Sequence, residues 1–281
     1  MSSTTTGTGR DRRGGTTTGT GQDRRGGTTT VTGRLGALAR AELTLLGRSR
    51  ATLVTAVFVP LVVPFSLRGA AGEMDLAEHG LDVGTMLLPA AIAMSLLFAV
   101  YAALTGVFVV RREELVLKRL RTGELRDNEI LIGASLPSLA IGLGQSVLLA
   151  AGCALLLDME APRALPLALL GLLLGLVMCA ALGAVTAAWT RTAESAQVTS
   201  LPLLFVSLLG SGVAVPLEVL PDRIATVCEL LPLSPVVTLI RGGWTGALSA
   251  GEVLAAVVTA LAWTVLSVFA VRRWFRWEPR R

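Results

Sequence analysis

A short charged segment, residues 111–125, contains the side chains of this chain that are best suited to act on another molecule. Its sequence, RREELVLKRLRTGEL, sets leucines among basic and acidic residues in a helix-like pattern. It lies between two apolar runs, 84–110 and 130–157, that contain no Asp, Glu, Lys or Arg. A charged helix between two segments that can enter a bilayer predicts a cytosolic loop that contacts a partner. An ordinary basic loop that only sets orientation is the alternative.

The sequence contains none of the common catalytic or metal-binding patterns. It has no GxxxxGK[ST] loop for ATP phosphates, no HExxH, no paired Cys or His ligands and a single histidine. The apolar runs hold no ionisable residue of the kind that proton-coupled transporters use. We therefore expect no cofactor or metal in this chain and no enzymatic activity of its own.

Six apolar runs must position the charged segment. The hydrophobic residues make up 52% of the chain, and the mean hydropathy is +0.66. A membrane-spanning helix needs about 20 apolar residues, whereas a soluble helix keeps a polar face, which these runs lack. The sequence predicts an all-α integral membrane protein with six transmembrane helices. The predicted spans are residues 51–67, 84–110, 130–157, 164–190, 196–217 and 253–271.

The basic residues predict the orientation of these spans. The two tails and the segments 111–129 and 191–195 hold 21 of the 25 Arg and Lys residues. Basic residues favour the cytoplasmic side, so both termini are expected in the cytoplasm and the chain in the plasma membrane. The net charge of +5 is accounted for by these clusters, and we expect no nucleic-acid partner.

The N-terminal region divides into a tail and a helix. The sequence TTTGTGRDRRGG at residues 4–15 recurs at 16–27 with one change, and it offers nothing apolar to bury, so residues 1–33 are predicted to be disordered. Residues 34–50 predict an amphipathic helix in the cytosolic interface. Glu42 falls inside its apolar face, which suggests a basic partner on another element.

The segment before the last span, residues 210–251, is apolar but rich in proline. Prolines at this density break a continuous helix. We expect two short re-entrant helices, 222–230 and 235–242, that dip into the outer leaflet; a plain extracellular loop is the alternative. The C-terminal sequence RRWFRWEPRR predicts an interfacial anchor.

Three stretches resemble permease subunits of type-2 ATP-binding cassette (ABC) exporters, of the kind found in actinobacterial drug and antibiotic efflux. Residues 111–125 are similar to the family's ERExGTLKRLRxTPL, with Leu115, Val116 and Glu124 replacing Gly, Thr and Pro. The sequence LPLSPVVTLIRG at 231–242 resembles PL(S/T)PVVxxLRG, and the C-terminus resembles RxFRWEPR. The resemblance covers residues 34–281, which would form the transmembrane domain.

The resemblance implies a division of labour among several chains. A separate ATPase subunit would bind ATP and Mg²⁺, and two permease chains, identical or different, would form the pathway. The implied ATPase-docking residues are Arg112, Glu113, Leu117, Lys118, Arg119, Leu120, Arg121 and Glu42. The implied outer lid contains Glu218, Asp222, Pro232, Pro235 and Arg241.

Two polar residues within spans, Gln145 and Tyr101, are candidates for the translocation pathway. A helix–helix hydrogen bond is the other interpretation of Gln145. The predicted function is ATP-driven export of a drug-, antibiotic- or lipid-like substrate. A membrane scaffold or assembly protein without transport is the alternative, and the charge-free spans argue against a lipid-modifying enzyme.

Overall fold

The computed structural model describes residues 83–121, 126–157, 159–212, 221–275 and 277. The predicted tail, the interfacial helix with Glu42, the first predicted span and Glu218 lie outside these residues. Throughout the described part the chain is helical. The helices are α1 (Val83–Ser95), a π-helical segment (Leu96–Ala102), α2 (Ala103–Glu113), α3 (Val116–Arg121), α4 (Asp127–Leu156), α5 (Leu165–Trp189), α6 (Ala193–Gly210), α7 (Asp222–Glu229), α8 (Ser234–Thr245) and α9 (Ala250–Trp274).

Five of the described helices are long and apolar enough to cross a membrane. They are the continuous rod Val83–Glu113, which joins α1, the π-helical segment and α2, together with α4, α5, α6 and α9. The bent pair α7–α8 would bring the number to six if it were one span. The prediction of an all-helical membrane protein is thus confirmed for the described residues.

The fifth predicted span ends earlier than the sequence suggested. The apolar run continues to residue 217, but α6 ends at Gly210 and the next two residues form a bend. Gly212 adopts a left-handed backbone with φ of 71°, a conformation that glycine takes without steric cost. The apolar run of the sequence therefore extends beyond the end of α6.

The two short helices predicted from the prolines are α7 and α8. α7 and α8 enclose an angle of 94° at their break, a geometry that fits either a broken span or a re-entrant loop. α8 is buried along most of its length and packs against α5, α1 and α9. Gly246, with φ of 66°, ends α8 in the left-handed conformation typical of a helix C-terminus.

Helix α5 lies at the centre of the bundle, in contact with α8, α9, α2 and the π-helical segment. Two glycines one turn apart allow α8 to approach it. A Cβ atom at Gly171 would lie 2.8 Å from Leu239 Cβ, and one at Gly175 would lie 2.8 Å from Val236 Cγ1. Small residues at such positions let helix backbones pack closely in a membrane, where van der Waals contact is a main source of stability.

We expect Gly171→Ala to destabilise the protein because the new methyl group must displace Leu239 or the backbone of Ile240. Overpacking of this kind costs about 1–3 kcal/mol. The matched control is Gly144→Ala on α4, where a methyl group would have no heavy atom within 4 Å. Thermal unfolding in detergent, followed with a thiol-reactive dye on the buried cysteines, should show a lower midpoint for the first variant only. Equal midpoints for the two variants would contradict close packing at Gly171.

Candidate functional site

The charged side chains concentrate at one end of the bundle, here called the basic end. It comprises the C-terminus of α2, α3, the loop between α5 and α6 and the C-terminus of α9. The basic residues there are Arg111, Arg112, Lys118, Arg119, Arg121, Arg191, Arg272 and Arg273, together with Arg126 at the start of α4. The loops at the other end, called the opposite end, join α4 to α5 and α8 to α9.

The charged segment forms two helices joined by an elbow rather than one helix. α2 continues through residue 113, and α3 begins only at Val116. Between them Leu115 adopts a left-handed backbone with φ of 59°, at the position where the resembled motif has glycine. For a residue with a Cβ atom this conformation costs about 1–2 kcal/mol. Glu113 is the last residue of α2 and so lies at a helix C-terminus.

The side chain of Arg112 holds the C-terminus of α5. It is only 1% exposed, its Nη1 donates to the carbonyl oxygen of Ala187 at 2.9 Å, and its Nη2 donates to that of Thr190 at 2.5 Å. A third, longer contact joins Nη2 to the carbonyl oxygen of Arg191 at 3.4 Å. The last carbonyls of a helix lack intrahelical donors and carry partial negative charge, so a guanidinium is well suited to them.

The neighbouring residue, Glu113, binds the start of the next helix. Its Oε1 accepts a hydrogen bond from the backbone N–H of Ala193, the first residue of α6, at 3.2 Å. A carboxylate is favoured at a helix N-terminus, where free N–H groups carry partial positive charge. Two consecutive residues of α2 thus hold the end of α5 and the beginning of α6.

The structure divides the predicted docking residues into a buried and an exposed group. Leu117 of α3 is fully buried within the chain, and so is Arg112 of α2, whose guanidinium binds the carbonyls at the end of α5. Leu120 is half-buried, whereas Glu113 and Arg119 are exposed. Lys118 and Arg121 belong to the same short helix. That this surface binds an ATPase remains a prediction.

Aromatic contacts attach the end of α9 to the same region. The rings of Trp189 and Trp274 lie 6.2 Å apart, and Phe275 meets Phe108 edge to face at 6.1 Å. Trp277 in turn packs on Phe275 at 5.2 Å. The C-terminal residue pattern that suggested an interfacial anchor therefore also joins α9 to α5 and α2.

The two candidate pathway residues are enclosed between helices of the chain. Gln145 is buried and its Oε1 accepts a hydrogen bond from Ser95 Oγ at 2.5 Å, which is the helix–helix bond considered as the other interpretation. The hydroxyl of Tyr101 lies 3.2 Å from Thr186 Oγ1 and donates to the carbonyl oxygen of Ser200 at 3.2 Å. Both residues join helices here, and a role in transport remains a prediction.

The described residues of the predicted lid, which exclude Glu218, lie at the opposite end. Pro232 and Pro235 are buried at the break between α7 and α8, and Asp222 begins α7. Arg241 is 9% exposed and, together with Pro235, lines a cavity beside α9. Among the residues that the structure describes, no group of His, Cys, Asp or Glu side chains could hold a metal ion.

Sequence reasoning missed the partners of Arg112 and Glu113. The Arg112 partners are backbone carbonyls 75 and 78 residues further along the chain, and the sequence pattern of α5 does not mark them. The available signal was topological, because the loop after α2 and the loop after α5 were both assigned to the same side of the membrane. This shared side allows Arg112 and Glu113, at the end of α2, to pair with the ends of α5 and α6.

We expect Arg112→Met to lower the stability of the protein markedly. The substitution keeps the apolar stem but leaves the carbonyls of Ala187 and Thr190 without their donor, at a cost of about 1–3 kcal/mol for each buried unsatisfied group. The control is Arg272→Met, at an exposed position in the last turn of α9. Loss of the monodisperse size-exclusion peak on heating should occur at a lower temperature for the first variant. The same temperature for both would mean that the Arg112 contacts contribute little.

The family model for the ABC-2 type transporter matches residues 34–244, which include the elbow, α5 and α8 up to Trp244. No curated protein matches the chain. Because the family model covers most of the sequence, the chain belongs to the ABC-2 type transporter family and is a permease, the membrane component of a transporter.

Proposed function

We propose that this permease exports a drug-, antibiotic- or lipid-like substrate, with energy from ATP hydrolysed on a separate subunit. Permeases of the ABC-2 family work with an ATP-binding subunit. The observation that carries the proposal is the elbow at the basic end. There a short charged helix with exposed Arg119 is joined through Arg112 and Glu113 to the ends of two further spans.

The elbow is suited to pass movement from a partner to the bundle. A force on α3 acts on α2 directly, on α5 through the hydrogen bonds of Arg112, and on α6 through the carboxylate of Glu113. Buried Leu117 prevents α3 from turning independently of the bundle. Closure of an ATPase dimer on α3 would therefore move several spans together, as rigid-body switching between states requires.

The orientation follows from the positive charges. In the proposal the basic end faces the cytoplasm, both termini are cytoplasmic, and the chain lies in the plasma membrane. ATP and Mg²⁺ are bound by the partner, which Glu42, Lys118 and Arg121 help to dock. The pair α7–α8, with Glu218 in the segment before it, forms the outer lid.

The proposal includes a second permease chain, identical or different, beside this one. In the most apolar 18-residue stretch of α6, only 22% is buried within the chain, and the same share is buried in α9. Exposed apolar faces include Val198, Leu209, Val265 and Phe269. In a membrane these faces contact lipid or another chain, and a pathway for a large amphipathic substrate needs a wall that one bundle does not supply.

A mild-detergent pull-down of the tagged chain from its native host tests the function. We expect a stoichiometric ATPase that carries its own phosphate-binding loop. A matched bait, an unrelated membrane protein with the same tag, shows which proteins bind the tag or the micelle. Absence of an ATPase, under conditions that preserve a known transporter pair, would favour the non-transporting scaffold.

Reversal of the charges on α3 tests the docking surface. We expect Lys118→Glu with Arg119→Glu to uncouple ATP hydrolysis from export while membrane insertion stays normal, since the buried Arg112 and Leu117 contacts are kept. The control is Arg272→Glu with Arg273→Glu, which reverses two exposed charges at the same end of the bundle. Export that is unchanged by the α3 substitutions in reconstituted vesicles would contradict a docking role for this helix.

A further inference from the structure

A cavity of about 480 Å³ lies at the opposite end of the bundle, between the pair α7–α8 and the first turns of α9. It is far in the chain from the elbow and has no part in the coupling described above. Its lining is mixed, with apolar and hydroxyl side chains and three charged ones. The charged and hydroxyl residues are Arg241, Glu229, Glu252, Ser211, Thr238 and Thr259.

The positive charge of the cavity lies in its buried wall, and the two negative charges lie on exposed residues. Arg241 is 9% exposed and therefore lies in the wall, whereas Glu229 and Glu252 are exposed. The carboxylate of Glu252 is held in place, because it accepts hydrogen bonds from the backbone N–H and the hydroxyl of Ser249, both at 2.7 Å. Ser211 is fully buried, and its hydroxyl has no hydrogen-bond partner among the described residues. A ligand with one anionic and one cationic group would meet a complementary charge at each.

The position of the cavity along α9 matches the lipid head-group layer. Its wall extends from Glu252 to Thr259, which is about 10 Å at the rise of an α-helix. The interfacial layer of a bilayer is roughly 5–8 Å thick on each side. A bilayer surface that meets the first turn of α9 would place the carboxylate of Glu252 at head-group level and Thr259 in the outermost hydrocarbon.

Helix α7 adds an apolar strip beside the cavity. Ile224, Val227 and Leu230 recur at every third position and are 51%, 64% and 61% exposed, and Leu230 also lines the cavity. Residues three apart share one face of a helix. Asp222 and Glu229 lie on the other side of this short helix and Arg223 lies beside the strip, a mixture of apolar and charged residues that suits a membrane interface. The strip provides a surface for acyl chains next to a polar pocket.

We propose that this cavity binds the zwitterionic head group of an outer-leaflet phospholipid that carries a phosphate and a primary amine. The ammonium group is received by Glu229 and Glu252, the phosphate lies toward Arg241 and the hydroxyl residues, and the acyl chains follow the strip on α7. The assignment of the site to the outer leaflet rests on the orientation in the proposed function. The bound lipid would hold α7 against α9.

Native mass spectrometry of the purified full-length chain tests this site with dioleoyl phosphatidylethanolamine and dioleoyl phosphatidylglycerol, which share acyl chains and differ in the head group. We expect tighter binding of phosphatidylethanolamine than of phosphatidylglycerol. Glu229→Gln with Glu252→Gln should weaken phosphatidylethanolamine binding about tenfold and abolish the preference. Glutamine at 252 can still cap α9, so the fold is kept. The control is Glu160→Gln, an exposed residue in the loop before α5 that does not line the cavity.

Two results would overturn the proposal: equal affinity of the parent chain for the two lipids, or a preference that survives both glutamine substitutions. If the double variant does not fold, the single variant Glu229→Gln, at an exposed residue of α7, gives the same test. Glycerophosphoethanolamine, which lacks acyl chains, distinguishes a lipid from a soluble ligand, because binding as tight as that of the lipid would refute the membrane source. The assay needs no ATPase, so its failure is separate from failure of the pull-down.

Discussion

The hydrogen bonds from the Arg112 guanidinium to the last carbonyls of α5 are the interaction on which the basic end depends. A helix that ends at a membrane surface leaves carbonyl groups that need donors, and a buried charge needs partners even more strongly. The guanidinium of Arg112 supplies the missing donors, and the carbonyl oxygens of Ala187 and Thr190 supply its partners at 2.9 Å and 2.5 Å. The consequence is mechanical, because the elbow cannot shift without carrying the end of α5 with it.

The two ends of the bundle are held by different kinds of interaction. Charge-assisted hydrogen bonds and aromatic contacts join α2, α5, α6 and α9 at the basic end. At the opposite end, α8 is held by close packing against Gly171 and Gly175, and polar groups are left to line a cavity. Charge-assisted hydrogen bonds fix the geometry of the basic end, whereas van der Waals contact between closely packed helices holds the opposite end.

The apolar runs predicted the described spans, because length and hydrophobicity suffice to define a membrane helix. The prolines likewise predicted α7 and α8, since each removes a backbone donor. Prediction failed where conformation depends on a few dihedral angles or on distant backbone atoms. The bend after Gly210 interrupts a run that stays apolar, and the burial of Arg112 depends on carbonyls that no residue type reveals. Gln145 had two interpretations, and only the fold could show its bond to Ser95.

Leu115 shows how the elbow keeps a conformation that its own residue disfavours. A left-handed leucine persists only where its surroundings determine the backbone more strongly than its local preference does. Arg112 and Glu113 fix the chain on one side, and buried Leu117 fixes it on the other. Glycine at this position would relieve the strain but would also free the joint between α2 and α3. Leucine at this position accepts local strain and keeps the backbone between α2 and α3 more restricted than glycine would.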